Sequence, residues 1–308
     1  MLNNFRHSIL EHFGLRELPF GLTPDTQFFC QLNSHQEALN VLLIALHNGE
    51  GFIKITGPVG SGKTMLCRKL LNQLDRNFIT AYLPNPHLSP VVLKKAIADE
   101  LGIRHGKNVG QNQLLQKINR HLIQSAAAGR QTILIIDEAQ AMSLQTLEAL
   151  RLLTNLETEK QKLLQIVLFG QPELDELLCH RSIRQLRQRI TFSYQLKPLS
   201  NGEIDAYLQH RLRIAGCGDA PIFTRTAGRA LHYYSHGIPR LINILAHKAM
   251  LAAYGKGCRH IQSKQIQLAA SDTDETRKML HVFDFSSWSL AFTVFSVIAF
   301  ILWRLLQV

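Results

Sequence analysis

Residues 57–64 have the residue types and spacing of a loop that binds phosphate groups. They read Gly-Pro-Val-Gly-Ser-Gly-Lys-Thr, which fits the pattern G-x-x-x-x-G-K-[ST]. Glycines let backbone N–H groups point at phosphate oxygens, while Lys63 can reach the β- and γ-phosphates and the Thr64 hydroxyl can bind Mg²⁺. The sequence therefore predicts a site for ATP and Mg²⁺ in this loop. The predicted nucleotide-binding residues are Gly57, Pro58, Val59, Gly60, Ser61, Gly62, Lys63 and Thr64.

Two carboxylates follow a continuous apolar run at residues 132–136. Asp137 would hold Mg²⁺ through water, and Glu138 would be the general base that orients and activates the attacking water. A strand that ends at an acidic helix cap has the same pattern, but the position downstream of the phosphate-binding loop favours catalysis. A water-activating Glu argues against a nucleotide kinase, and the sequence has no Asn-Lys-x-Asp motif for reading guanine.

Gln171 directly follows the next apolar run and precedes Pro172. At the carboxyl edge of a parallel sheet its side chain would lie beside the γ-phosphate, where it could position the attacking water. The alternative is a turn residue with no part in catalysis. The predicted catalytic site combines Lys63, Glu138 and Gln171.

Two arginine positions could add positive charge to the transition state. Residues 184–189 form a basic cluster, which is either a solvated face or the source of an arginine finger for a neighbouring subunit. Arg189 is the predicted finger, and Arg187 is the alternative. Arg240 falls in the first turn of a predicted helix, after Gly-Ile-Pro at 237–239. A cation there opposes the helix dipole, which a γ-phosphate would compensate, so Arg240 is the predicted sensor arginine.

Five apolar runs alternate with helical patterns up to about residue 198, which predicts an α/β fold with a parallel sheet. The predicted strands are 52–56, 77–83, 131–136, 164–169 and 190–196. The predicted helices are 34–47, opened by a capping box at 34–37, and 65–71, 89–101, 111–127, 143–156 and 173–186. From Pro198 to about Ala270 only helical patterns occur, broken at glycines, which predicts a separate helical domain.

The composition describes a basic globular protein. The 308 residues carry a net charge of +11, which indicates an acidic partner such as nucleic acid, anionic lipid or the nucleotide itself. Five cysteines without a C-x-x-C spacing argue against a disulfide framework and a zinc site, and they fit a reducing compartment. Residues 1–18 lack an apolar run, so we expect no cleavable signal peptide.

The last part of the sequence has a different character. From Phe285 to Trp303, nineteen consecutive positions carry no formal charge. A helix of that length spans about 28 Å, close to the thickness of the hydrocarbon core of a bilayer. Trp288 and Trp303 lie near its ends, where aromatic belts form. A buried terminal helix is the alternative, but such a helix normally has a polar face, so we predict a membrane span.

The order of these motifs resembles an AAA+ ATPase, and shorter elements narrow the resemblance to the ExeA or general secretion pathway protein A family. Those elements include Gly-Gln-Pro-Glu-Leu at 170–174 and His-Arg-Leu-x-x-Ala-Gly at 210–216, within a similarity over about residues 8–270. The resemblance implies a P-loop αβα core, a C-terminal helical lid, a ring or other homo-oligomer, and Arg189 acting across the subunit interface. It also implies an inner-membrane partner in a pilus or secretion assembly.

The predicted organisation is a leader at 1–33, an AAA+ P-loop core at 34–198, a helical lid at 199–270, a linker at 271–284 and a transmembrane helix at 285–306. Family members carry a periplasmic peptidoglycan-binding domain after their span. This sequence stops four residues after Arg304, so the peptidoglycan role of the family is not carried over to it.

The sequence thus predicts a single-pass inner-membrane ATPase, with its ATPase domain in the cytoplasm, that hydrolyses ATP to drive assembly of a cell-envelope machine. One alternative is a nucleic-acid-associated ATP switch of the transposition-helper type. The basic charge supports that alternative, whereas the terminal span and the lack of an appended helix-turn-helix oppose it. Another alternative is a scaffold that binds nucleotide without hydrolysing it.

Overall fold

The computed structural model describes residues 2–106, 108–154, 157, 162–218 and 221–276. It divides into two compact units. The first unit is Thr23–Leu199 with Ile238–Arg240. The second unit contains Met1–Leu22, Ser200–Gly237 and the chain from Leu241 onward.

The first unit is built on a parallel sheet, as predicted. Its strands are β1 Phe52–Thr56, β2 Phe78–Leu83, β3 Gln131–Ile136, β4 Leu164–Gly170 and β5 Ile190–Gln195. They lie in the order β2-β3-β4-β1-β5. The register sets Ile136 level with Leu168, and Thr56 level with Gly170. The segments that follow β1, β3 and β4 therefore begin at the same edge of the sheet, and they contain the phosphate-binding loop, the Asp137–Glu138 pair and Gln171.

Helices connect the strands and continue into the second unit. In chain order they are α1 Leu2–Phe13, α2 Asn33–His47, α3 Lys63–Gln73, α4 Pro90–Glu100, α5 Gln111–Ala127, α6 Leu144–Leu153, α7 Glu173–Leu178, α8 Arg184–Arg187, α9 Asn201–Ile214, α10 Arg225–Ser235, α11 Pro239–Tyr254 and α12 Ser263–Ser271. Short 3₁₀ turns occur at Thr26–Phe28, Ala139–Ala141 and Arg181–Ile183.

Apolar side chains pack on both faces of the sheet, because β3 and β4 are buried along almost their whole length. On one face Leu134 and Leu168 belong to a cluster with residues of α4, α5 and α6. On the other face Ile133 and Val167 pack with residues of α2 and α3. Each fully buried aliphatic side chain stabilises the fold by roughly 1.5–3 kcal/mol, so this three-layer core holds the strand ends in fixed positions.

Several predicted helix starts are confirmed by their hydrogen bonds. Ser89 accepts a hydrogen bond from the Val92 N–H at 3.4 Å, with Pro90 as the first helical residue. Ser143 caps α6 in the same way. A capping box formed by Ser200 and Glu203 opens α9. Helix α6 ends at Leu153, slightly before the predicted end at 156.

Two local predictions are wrong. Residues 173–186 do not form one helix, because the His180 side chain accepts the Ser182 N–H and the chain divides into α7, a 3₁₀ turn and α8. The predicted capping box at 34–37 is also absent, since α2 begins at Asn33 without a side-chain cap. The Ser34 hydroxyl instead accepts the Lys197 N–H at 2.9 Å, which ties α2 to the segment after β5.

The second unit is helical and includes residues that were predicted to be a leader. The buried Arg211 on α9 donates hydrogen bonds to the Pro19 carbonyl at 2.6 Å and to the Tyr207 hydroxyl at 3.2 Å. Tyr207 in turn donates to Asn243 on α11 at 2.9 Å. These contacts explain why residues up to Leu22 group with α9–α12 instead of standing apart.

The predicted transmembrane helix at 285–306 lies outside the described residues, as does the linker from residue 277 onward. Among the residues that are described, no helix has both the length and the apolar character needed to cross a bilayer.

Candidate nucleotide site

The phosphate-binding loop connects β1 to α3 through two glycines with positive φ angles. Gly60 has φ 77° and Gly62 has φ 95°, a region that side chains disfavour. Space is also restricted: a Cβ at Gly60 would lie 2.6 Å from the Cβ of Arg240, and a Cβ at Gly62 would lie 2.9 Å from Nε2 of His35. Both positions therefore require glycine for conformational and steric reasons.

Lys63 is the first residue of α3 and is buried. Its ammonium donates hydrogen bonds to the Gly57 carbonyl at 2.9 Å and to the Pro58 carbonyl at 3.0 Å. Burial lowers the pKa of Lys63, and the carboxylates of Glu138, Asp137 and Glu173 partly oppose that shift. The ammonium thus lies at the start of the loop, where phosphate oxygens could replace the two carbonyls.

Thr64 and Asp137 meet at the edge of the sheet. The Thr64 hydroxyl donates a hydrogen bond of 2.7 Å to Oδ2 of Asp137, whose side chain is almost fully buried. Burial raises the pKa of Asp137, and hydrogen bonds from Thr64 and the Glu138 N–H act in the opposite direction. A hydroxyl and a carboxylate are oxygen ligands of the kind that Mg²⁺ prefers.

These residues fit a bound magnesium nucleotide. Within the described part of the chain, Ser61 Oγ is buried and has no hydrogen-bond partner, so a donor stands inside the loop without an acceptor. Gly57 leaves room beside it, because a Cβ there would lie 2.8 Å from Ser61 Oγ. Phosphate oxygens would satisfy that donor and the loop N–H groups together.

Glu138 follows Asp137 in a left-handed conformation, with φ 53° and ψ 38°, at the start of the 3₁₀ turn. Its Oε2 accepts hydrogen bonds from Gln171 Nε2 at 3.0 Å and from Gln140 Nε2. Burial alone raises the pKa of Glu138, but these two bonds and the charge of Lys63 outweigh it, so the pKa lies below its ordinary value. Glu138 is therefore a carboxylate at neutral pH, as a general base must be.

Gln171 and Glu138 are thus brought together across the ends of β4 and β3. Gln140, which sequence reasoning missed, joins them, because its Oε1 accepts the Gln171 N–H at 3.0 Å. The only sequence signal for Gln140 is its place two residues after the catalytic-base candidate. His35 was missed as well: it is buried, and its Nε2 lies 2.8 Å from the Ser61 carbonyl of the loop.

The three predicted arginines lie in different surroundings. Arg240 stands against the loop, with its N–H donating to the Gly60 carbonyl at 3.2 Å and its side chain exposed. Arg189 is half-buried and donates to the Thr154 hydroxyl at 2.7 Å. Arg187 is exposed, and its Nη1 lies 3.6 Å from Cys179 Sγ. In the described chain neither Arg187 nor Arg189 bonds to the loop.

The part of the sequence that contains this site is similar to a known protein family. Residues 46–178 match the AAA domain family. This match shows a similarity to the AAA domain over 133 of the 308 residues. The match contains the phosphate-binding loop, the Asp137–Glu138 pair and Gln171, so the candidate site lies within the region that is similar to the AAA domain.

A curated relative extends the similarity beyond the AAA domain. The chain is 45% identical over 267 residues to general secretion pathway protein A of Aeromonas hydrophila. The aligned region is 87% of this chain and 49% of that protein, so the chain spans about half the length of the relative. This identity supports the resemblance to the ExeA or general secretion pathway protein A family.

Solved structures confirm the predicted α/β fold of the core. Cdc6p of Pyrobaculum aerophilum aligns with a TM-score of 0.62 at 19% identity, over 82% of this chain and 70% of that one. A Walker-type ATPase of Pyrococcus abyssi aligns with a TM-score of 0.57 at 17% identity, over 89% and 80%. The RuvB branch migration motor of Thermotoga maritima gives 0.53 at 17% identity, over 79% and 70%. At these identities the likeness shows the fold alone.

Proposed function

We propose that this protein is an AAA+ ATPase that binds ATP with Mg²⁺ and hydrolyses it to ADP and phosphate. The observation that carries the proposal is the hydrogen-bonded pair of Glu138 and Gln171, at 3.0 Å, beside the phosphate-binding loop. A scaffold that only binds nucleotide has no use for an ionised glutamate aligned by an amide at this edge. The comparisons favour this function over the two alternatives.

The two oxygens of the Glu138 carboxylate have different tasks in this proposal. Oε2 accepts hydrogen bonds from the side-chain amides of Gln140 and Gln171. In the described structure Oε1 is therefore the oxygen with no hydrogen bond. Oε1 therefore takes the proton of the attacking water, while Gln171 fixes the direction of the carboxylate. Lys63 and the loop N–H groups hold the phosphates, and Thr64 and Asp137 would hold Mg²⁺, which neutralises charge on the phosphate oxygens.

Two arginines complete the proposed site. Arg240 reaches the γ-phosphate from its place beside Gly60, which compensates for its unfavourable position in the first turn of α11. Arg189 acts in a neighbouring subunit of a homo-oligomer, after exchanging its bond to Thr154 for a phosphate oxygen. Arg187 is the alternative finger, since its guanidinium is already exposed.

The cellular role that we propose rests on the relative and on the sequence. The relative is named for general secretion, and residues 285–303 carry no formal charge. We propose a single span at 285–306 in the inner membrane, with the AAA domain in the cytoplasm and residues 199–270 as its helical lid. The ATPase would drive assembly of a pilus or secretion apparatus, and its sequence resembles that of the MSHA pilus biogenesis ATPase MshM.

Phosphate release by the purified full-length protein tests the enzymatic part of this proposal. Turnover should require Mg²⁺ and should disappear in Lys63→Ala. If Arg189 acts between subunits, mixing Arg189→Ala protein with Lys63→Ala protein should restore part of the activity, because one interface then has both intact residues. Well-formed oligomers that show no recovery would refute the role of Arg189, and the same mixture with Arg187→Ala tests the alternative.

A further inference from the structure

The side chain of Gln140 uses both ends of its amide within the candidate site. Its Nε2 donates to Oε2 of Glu138, and its Oε1 accepts the backbone N–H of Gln171 at 3.0 Å. Gln140 is half-buried in the 3₁₀ turn Ala139–Ala141. One amide therefore connects the end of β3 to the end of β4 through the carboxylate of the proposed base.

The connection restrains the backbone of Glu138, which has a positive φ angle. A non-glycine residue in the left-handed region is strained and keeps that conformation only where its surroundings enforce it. The bond from Gln140 is one such restraint, and the bond from Gln171 is a second. Because both donors meet on Oε2, they also fix which oxygen is left for water.

We propose that Gln140 is a positioning residue that holds the Glu138 carboxylate in its reactive orientation and fixes its distance from Gln171. This inference rests on the proposed ATPase function. A residue in this role must donate to a carboxylate and accept from a backbone N–H at once, which an amide does and a carboxylate or a thioether does not.

Two substitutions of similar length separate the donor from the acceptor. Gln140→Met removes both bonds, whereas Gln140→Glu keeps an acceptor for Gln171 but places a negative charge against Glu138. Turnover should fall by about 10- to 100-fold in Gln140→Met, as is typical when the partner of a functional group is removed, and further in Gln140→Glu. KM for ATP should stay within about threefold of the unmodified protein, because Gln140 does not line the phosphate loop.

The exposed Gln116 on α5 supplies the control, and Gln116→Met should leave turnover unchanged. Amide hydrogen exchange at Gln171 gives a readout that does not depend on activity, since Gln140→Met removes the acceptor of that N–H. Unchanged exchange at Gln171, or full turnover in Gln140→Met, would overturn the inference. If the unmodified protein does not turn over but exchange at Gln171 accelerates in the variant, the proposed function fails while the positioning contact stands.

A second inference comes from a different part of the chain. Residues 221–271 contain no Asp or Glu but seven Lys and Arg residues. Lys248 pairs with Asp272, and Arg240 belongs to the first unit. Within the described residues the remaining five cations are exposed and form no ion pair. They are Arg225, Arg229, Lys256, Arg259 and Lys264.

Backbone contacts gather three of these cations on one edge of the second unit. The bridge between Phe223 and Ile261 sets the start of α10 beside the start of α12. Arg225 follows one side of this bridge, and Arg259 and Lys264 flank the other side. We name Arg225, Arg259 and Lys264 the basic edge.

We infer that the basic edge binds anionic lipid headgroups. Charge complementarity is the first reason, since an anionic membrane surface attracts each basic residue that lies near it. The second reason is the short distance that the chain allows between the second unit and the predicted span. The span begins at residue 285, and the nine residues from 276 can extend only about 30 Å. The inference thus rests on the proposed membrane tether.

Full-length protein in nanodiscs tests this binding by hydrogen exchange. Peptides that cover Arg225 and 259–264 should exchange at least about threefold more slowly with phosphatidylglycerol present than in phosphatidylcholine alone. The triple reversal Arg225→Glu, Arg259→Glu and Lys264→Glu should remove that protection. The control reverses three exposed cations of the first unit, Arg76, Lys117 and Arg120, and should keep it.

Equal exchange in both lipids would overturn the lipid inference. Salt-dependent binding of a DNA duplex would also overturn it, if the basic-edge reversal abolishes that binding and the control reversal does not. That result would assign the basic edge to nucleic acid. Protein that stays in the aqueous fraction and never enters nanodiscs would reject the membrane tether itself, and the lipid inference with it.

Discussion

Gly60 offers a direct test of how Arg240 is placed against the phosphate-binding loop. Gly60 and Gly49 have nearly equal φ angles, 77° and 75°, so alanine should be strained at both positions by about 1–2 kcal/mol. They differ in space: a Cβ at Gly49 meets nothing within 4 Å, whereas a Cβ at Gly60 lies 2.6 Å from the Cβ of Arg240. Gly49→Ala is therefore a matched control that contains the strain without the clash.

The clash with Arg240 determines how much stability and turnover Gly60→Ala should lose. Arg240 must move by about 0.8 Å to restore an ordinary contact of 3.4 Å. Such overpacking costs about 1–3 kcal/mol in addition to the strain. A displacement near 1 Å at a catalytic site can reduce turnover by about 100-fold. We expect Gly60→Ala to lower the free energy of unfolding by about 2–5 kcal/mol and turnover by about 100-fold, and Gly49→Ala to lower only stability.

Urea denaturation followed by circular dichroism, together with phosphate release, measures both quantities. The double variant Gly60→Ala with Arg240→Gly removes the clashing Cβ and should regain part of the stability that Gly60→Ala loses. The reasoning is refuted if Gly60→Ala and Gly49→Ala have equal stability and turnover, or if the double variant recovers no stability.

Three further predictions use the same assays. Lys63→Met should abolish ATP binding in a fluorescent-nucleotide titration, since the buried ammonium lies against the loop; retained affinity would contradict that role. His35→Phe leaves the Ser61 carbonyl without its partner and should lower the free energy of unfolding by about 1–3 kcal/mol; unchanged urea denaturation would show that this bond is dispensable. Burial raises the pKa of Cys67, so iodoacetamide should modify the exposed Cys179 in the folded protein and Cys67 only after unfolding, as peptide mass spectrometry can show.

The features that could be predicted from the sequence are those encoded by neighbouring residues. Examples are the loop at 57–64, the strand before Asp137 and the cap at Ser143. Each consists of a few consecutive residues, whose own chemistry determines the local structure. Strand order could not be read in this way, because it depends on contacts between distant segments.

The residues that sequence reasoning missed act through such distant contacts. His35 bonds to the Ser61 carbonyl, and Gln140 bonds to the Gln171 N–H, across the fold. A distant contact also explains why the capping box predicted at 34–37 is absent. The Ser34 hydroxyl accepts a hydrogen bond from the N–H of Lys197, which is 163 positions further along the chain. A local motif can compete with a tertiary hydrogen bond that the sequence does not reveal.

The most direct test of the central claim compares Glu138→Gln with the unmodified protein in ATP binding and in ATP hydrolysis. The substitution keeps the size of the side chain but removes the carboxylate that would accept the proton from water. We predict that the variant binds ATP with near-normal affinity while its hydrolysis falls by about 100-fold or more. Hydrolysis at the unmodified rate in Glu138→Gln would contradict the assignment of the base and of the mechanism built on it.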